Sequence, residues 1–153
     1  MRTFYLETSI WGVLVPGQPA EMQRASLRLL KRLKPQQAFI STVVSDEIYE
    51  AKAHIRKHLA SALNRFPPTV LEVSTECDEL AQAYIDAGVV PAKKTEDAAH
   101  VAVATVYEIG VLLSWNYKHL ANVRKTELFR AVNLLHGYTH SPEILTPFEV
   151  LHG

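Results

Sequence analysis

Glu7, Glu47, Asp97 and Asn116 are the side chains whose types and places could do chemistry in this sequence. In open α/β sheets the working crevice lies beyond the carboxyl ends of the strands, where loops gather and helix N-termini present free N-H groups. Glu7 follows the apolar run Thr3 to Leu6, and Asn116 follows Val111 to Leu113. Asp97 opens the most apolar helix in the chain, and Glu47 lies about one turn into the helix after a second apolar run. Two carboxylates about 5 Å apart repel by roughly 3 kcal/mol at an effective dielectric near 20, so gathering them needs a cation or a proton. Mg2+ and Mn2+ suit such oxygen ligands, and Mg2+ takes one or two carboxylates together with waters and substrate phosphate. The constellation fits a phosphate-handling metal site.

Each position also has a plainer reading. An acid in the first turn of a helix complements the macrodipole by about 0.3 to 1 kcal/mol, which would account for Glu96 and Asp97 without any ligand. On a helical wheel Glu47 lies about 70° from the centre of the stripe Val44, Ile48, Ala51, Ile55 and Leu59, whereas Asp46 lies almost opposite, so Glu47 can turn inward and Asp46 is solvated. Glu7 ends a buried strand, and Glu is not a preferred residue for starting a turn. Thr8 and Ser9 could offer a hydroxyl to a metal or its water, or cap the following turn. Asn116 is an amide ligand or bonds its own backbone. His100 and His119 lack metal-pair spacing and read as core or surface residues. Trp11 and Trp115 either stack on a base or pack, and Cys77 has no activating partner.

The elements that must position these residues follow from periodicity. Thr3 to Leu6 reads as a buried strand ending at Glu7, and Ala38 to Ile40 as a second strand ending in Ser41 and Thr42. Met22, Ala25, Leu29 and Leu33 make residues 21 to 33 an amphipathic helix. The stripe from Val44 to Leu59 predicts one helix from about Val43, stopped by Pro67-Pro68. Thr69 to Val73 is a short strand or a lead-in to the helix of residues 75 to 87, which Gly88 caps. Residues 97 to 109 are apolar almost all round, predicting a buried helix that Gly110 ends. Val111 to Leu113 is the next strand, a helix from about 117 to 130 follows, and Val132 to Leu135 and Ile144-Leu145 are further strand candidates. Strands alternating with helices imply an α/β fold whose mostly parallel sheet has helices on both faces.

Composition bounds the rest. A chain of 153 residues is expected to form a single domain, 1–153, burying roughly 70% of its unfolded surface. Its 48% hydrophobic and 21% charged content is that of an ordinary globular chain and excludes extended disorder. One cysteine fits a reducing compartment, the cytoplasm, and the run at Thr3 to Leu6 is too short for a signal peptide or a membrane helix. With 16 basic and 16 acidic residues the net charge is zero, so any grip on nucleic acid must be local. Lysines and arginines cluster at 24 to 34, at 56 and 57, and at 118 to 125; each cluster alone also reads as a solvated helix face.

Four blocks carry a family likeness: Tyr-Leu-Glu-Thr-Ser at the start, Ser-Thr-Val-Val-Ser-Asp-Glu-Ile after the second strand, the Glu-Asp-Ala-Ala-His-Val-Ala-Val-Ala helix, and Ser-Trp-Asn-Tyr-Lys-His-Leu. In order and separation they resemble the motifs of PIN domains, nearest to the VapC-like toxins of toxin-antitoxin pairs. The likeness runs from residue 3 to about 150, including a tail similar to the family's last strand and short terminal helix. It implies a PIN-like three-layer α/β/α fold with a parallel sheet of four or five strands, and endoribonuclease activity dependent on Mg2+ or Mn2+. It also implies a homodimer and an antitoxin partner that blocks the site. Glu7 stands where the family's first Asp does, Glu47 matches the second acid and Asp97 the third. Asn116 replaces a fourth acid and Ser9 matches an assisting hydroxyl. Glu at 7 adds a methylene to the common pattern and Asn at 116 removes a charge.

Together these readings give a ribonuclease in which Glu7, Asp97 and Glu47 hold the metal and Glu47 orients or deprotonates the attacking water. Lys93, Lys94 and Lys118 would steer phosphates of single-stranded or looped RNA. A catalytically impaired PIN-like module that binds RNA or a protein partner is the alternative. A phosphatase would want a nucleophilic Asp directly after the first strand, and Glu7 fits that poorly.

Overall fold

Strands of three or four wholly apolar residues suit a parallel sheet covered on both faces, because no side needs to meet water. The computed structural model, which describes residues 1–152, contains five short strands in the order β3-β2-β1-β4-β5, every neighbouring pair parallel. They are β1 (Phe4–Leu6), β2 (Ala38–Ser41), β3 (Thr69–Leu71), β4 (Val111–Leu113) and β5 (Glu143–Leu145). Around them lie α1 (Thr8–Gly12), α2 (Ala20–Arg32), α3 (Thr42–Glu50), α4 (Ala53–Arg65), α5 (Thr75–Asp86), α6 (Thr95–Val106), α7 (Val123–Leu135) and α8 (Pro147–His152). The fold is α/β with a parallel sheet of five strands flanked by helices, as the alternation of elements implies.

β1 and β4 are buried along their whole length, and β1 is the central strand of the five. Phe4 pairs with Ala38 on one side and Val111 on the other. The chain winds outward from β1 to β3 and then returns to place β4 against the free side of β1. The switch point therefore falls between β1 and β4, and the rule for open α/β sheets directs attention to the chain just beyond Leu6 and Leu113.

Several expectations need correction. The stripe from Val44 to Leu59 is not one helix: Ala51 is extended (φ −66°, ψ 155°), separating α3 from α4. Local periodicity survives the break, so only tertiary packing, here of α4 against α1 and α3, reveals it. Val132 to Leu135 is the end of α7 rather than a strand; Val132 and Asn133 are buried while Leu134 and Leu135 are exposed, a helical alternation that a four-residue apolar run hides. The helix expected from about 117 begins only at Val123, where the Asn122 side chain accepts a hydrogen bond from Lys125 N at 2.9 Å. Gly110 does not end α6. That helix stops at Val106, and Glu108 takes the left-handed turn at φ 56°. Gly88 does close α5, at φ 75°, with Val89 N donating to Tyr84 O.

Candidate active site

Glu7 is the first residue past β1 and the N-cap of α1, its Oε2 accepting from Ser9 N at 3.1 Å. Ser9 and Ser114 both donate their hydroxyls to Glu7 Oε1, at 2.6 Å each. Ser9 Oγ in turn accepts from Trp115 N at 2.8 Å, so the hydroxyl expected to assist a metal is turned inward to lock the β1 end to the β4 end. Trp115 anchors that second loop in the core: it donates to Ser26 Oγ at 2.9 Å and packs edge-on against Phe148. Trp11 is wholly buried as well, so neither indole is a platform for a base.

Glu47 lies on α3 and is half-buried, whereas Asp46 beside it is exposed, as the helical wheel requires. Its Oε1 accepts from Thr8 Oγ1 at 2.7 Å and pairs with His100 Nε2 at 2.8 Å. Burial alone would raise the Glu47 carboxyl; His100, by hydrogen bond and by charge, and then Thr8, outweigh it and hold the group below the ordinary carboxylate range. Burial likewise opposes a charge on His100, but the bond to Glu47 and the charges of Glu7, Glu47 and Asp97 raise the imidazole above its usual value. The two groups support each other, as an ion pair whenever the imidazole is protonated.

His100 is no ordinary core or surface histidine, and Tyr5 is more than part of a strand. The two are linked, Tyr5 OH lying 2.7 Å from both His100 Nδ1 and Ser41 Oγ. Ser41 accepts from Val43 N at 3.2 Å and so caps α3. A carboxylate can only accept, so His100 Nε2 donates to Glu47. With a neutral ring the chain of donors then runs Val43 N to Ser41 to Tyr5 to His100, and with an imidazolium Nδ1 donates to Tyr5, whose hydroxyl turns to Ser41. Two faint signals lie in the sequence: Tyr5 is two residues before Glu7 and shares its face of the strand, and His100 is one turn after Asp97.

Asp97, in the first turn of α6, is half-buried. Burial, and next the charge of Glu7, push its carboxyl up to about 6, against the opposing pull of His100 and Lys94. Asn116 Nδ2 lies 3.5 Å from Asp97 Oδ2, while Asn116 Oδ1 accepts from His119 N at 3.1 Å. Asn116 thus both bonds its own loop and faces Asp97. Lys93, Lys94 and Lys118 are exposed. Partial desolvation and then the charges of Lys118, Lys94, Lys125 and Lys93 depress His119, and of these lysines Lys94 also acts on Asp97.

The free carboxylate atoms are Glu47 Oε2, Asp97 Oδ1 and, in part, Glu7 Oε2, all hard oxygen donors. Among the described residues no group of three or more acidic, histidine or cysteine side chains is placed to hold a metal ion, which leaves these separate carboxylate oxygens as the donor set. Such a donor set suits Mg2+ or Mn2+ held by few carboxylates and otherwise by water and phosphate, not Zn2+. A groove of about 540 Å³ between α7, β5 and α8, lined by Val123, Arg130 and Leu145, contains none of these groups.

No protein-family model matches the sequence, and no curated protein matches it. Solved structures do match its fold. A toxin-antitoxin complex from Klebsiella pneumoniae aligns with TM-score 0.59 and 23% identity over 80% of this chain and 94% of that one. The Mycobacterium tuberculosis toxin VapC20, described as cleaving the sarcin-ricin loop, aligns with TM-score 0.58 and 19% identity over 90% and 97%. This chain has a VapC-like PIN fold. FitAcB from Neisseria gonorrhoeae also aligns, with TM-score 0.60 and 14% identity over 95% and 99%. Among the described residues no helix is long and apolar enough to cross a membrane.

Proposed function

We propose that this protein is a metal-dependent endoribonuclease that hydrolyses RNA phosphodiesters as the toxin of a toxin-antitoxin pair. The observation that carries the reading is the placement of three acids about the ends of β1 and β4: Glu7 bonded by Ser114, Glu47 by Thr8 beside Glu7, and Asp97 facing Asn116 two residues past Ser114. The PIN fold adds support, since a solved protein sharing it is described as a toxin that cleaves the sarcin-ricin loop and another as a toxin-antitoxin complex. On this reading the 153 residues act as one domain, work in the cytoplasm as a homodimer, and are blocked by an antitoxin protein.

Asp97 and Glu7 would hold Mg2+ or Mn2+ with help from Glu47. A bound ion would supply charge neutralisation at the phosphate and a lowered pKa for the attacking water. Glu47 Oε2, free of other partners, orients that water or takes its proton. Ser9 and Ser114 keep Glu7 in place, and Asn116 restrains Asp97. Lys93, Lys94 and Lys118 draw the RNA backbone toward the acids. The test is cleavage of a structured RNA with Mg2+ or Mn2+, comparing the wild type with Asp97→Asn. Loss of cleavage in the variant is expected, and equal rates reject the assignment.

That no three ligating side chains are grouped to hold a metal among the described residues, with Asn116 facing Asp97, favours one second reading: a PIN-like module that binds RNA or a protein without cutting. Calorimetry separates the two, since the nuclease reading requires Mn2+ binding at millimolar concentration.

A further inference from the structure

Resting on the metal-dependent reading, we propose that His100, itself held by Tyr5, is a positioning residue for Glu47. With Thr8 it occupies Oε1 of that carboxylate and leaves Oε2 as the single atom through which Glu47 works.

The geometry is specific. Oε1 has two lone pairs, and Thr8 Oγ1 at 2.7 Å and His100 Nε2 at 2.8 Å fill both, while Oε2 has no partner. His100 and Tyr5 are both 0% exposed. A buried histidine that needed only satisfaction could use any nearby carbonyl. Here both ring nitrogens go to side chains on other elements, Tyr5 of β1 and Glu47 of α3. The chain of bonds also begins and ends on α3. It leaves from Val43 N, passes through Ser41, Tyr5 and His100, and returns to Glu47 one turn later. One network therefore sets the start of that helix and the direction of its acid. A free Glu side chain on a half-exposed helix face would sample several rotamers; a clamp on one oxygen removes that freedom before any ligand arrives.

The amide of Asn at position 100 extends only as far as Nδ1 and can meet Tyr5 but not Glu47, whereas Gln carries its amide nitrogen out to the place of Nε2. In the full-length protein, calorimetry with Mn2+ should show His100→Asn binding about 10- to 100-fold more weakly, the usual cost of losing a partner behind a ligand. His100→Gln should recover most of that loss. Thr8→Val, an isosteric change at a half-buried site, should weaken binding by about 10-fold, the lower end of the same range. A metal-free readout stands beside these: the His100 Nε2-H proton, seen by ¹⁵N NMR as slowly exchanging, should move and exchange faster in Glu47→Ala. Wild-type Mn2+ affinity in folded His100→Asn and Thr8→Val overturns the proposal, and so does a ring signal unchanged in Glu47→Ala. Should both His100 variants fail to fold, Thr8→Val and the ring signal still decide it. Failure of the nuclease reading looks different, because the wild type itself would then neither bind Mn2+ nor cut RNA, and the ring signal alone would judge the clamp.

Discussion

Asp97→Asn should make the metal-free protein more stable while removing its activity. In the folded chain burial, and next the charge of Glu7, raise the Asp97 carboxyl from 3.8 to about 6. A rise of that size corresponds to about 3 kcal/mol at 1.36 kcal/mol per pH unit. Asp97 is only half-buried, so screening by solvent reduces the expected effect to about 1 to 1.5 kcal/mol. The unfolded chain ionises Asp97 more readily than the folded chain, so ionisation costs stability as pH climbs through that window. The cost is absent below about pH 4 and complete above about pH 7. Thermal melts in chelator should therefore show the Asn variant about 3 to 5 °C above wild type at pH 8 and level with it at pH 4. Adding Mn2+ at pH 8 should reverse the order. At about 100 times the dissociation constant a ligand contributes about 2.7 kcal/mol to the wild type, and the variant should gain much less. The reasoning is refuted if Asp97→Asn gives the same gain at pH 4 and pH 8, or destabilises the chelated protein at pH 8.

Three further outcomes follow from the same geometry. Glu47→Ala leaves the Nε2-H of wholly buried His100 without its acceptor and should cost about 1 to 3 kcal/mol in urea unfolding, with Glu47→Gln costing less because its amide oxygen still accepts. Ser114→Ala removes one of two hydroxyls on Glu7 Oε1 and should lower stability by about 1.5 to 3 kcal/mol, checked by the same titration. Alanine at Lys93, Lys94 and Lys118 should weaken RNA binding regardless of base sequence and flatten the slope of its salt dependence by about 0.7 for each phosphate no longer neutralised; an unchanged slope removes these lysines from the binding face.

Much of the architecture is legible in the order of residues. Continuous apolar runs at Phe4 to Leu6, Ala38 to Ile40 and Val111 to Leu113 suit buried parallel strands, and the positions of Glu7 and Asn116 just beyond such runs follow. The phase of a helix relative to its core tells Glu47 from Asp46, because that phase is local information carried by 3.6-residue periodicity. Local phase is blind to a turn that keeps it, which is why the break at Ala51 leaves no trace in the pattern, and a four-residue run such as Val132 to Leu135 is too short to show a period at all.

Which polar groups meet is a property of the folded chain alone. His100 sits on the most apolar helix of the chain, where a lone histidine reads as a packed core residue, and nothing local says that its two nitrogens reach Tyr5 and Glu47. Ser114 opens one of the motif blocks, but nothing local says that it donates to Glu7 across 107 positions. Those encounters depend on strand order and on how crossovers bring β1 beside β4. Periodicity fixes how each segment faces the core, while long-range pairing of the sheet fixes which segments face one another.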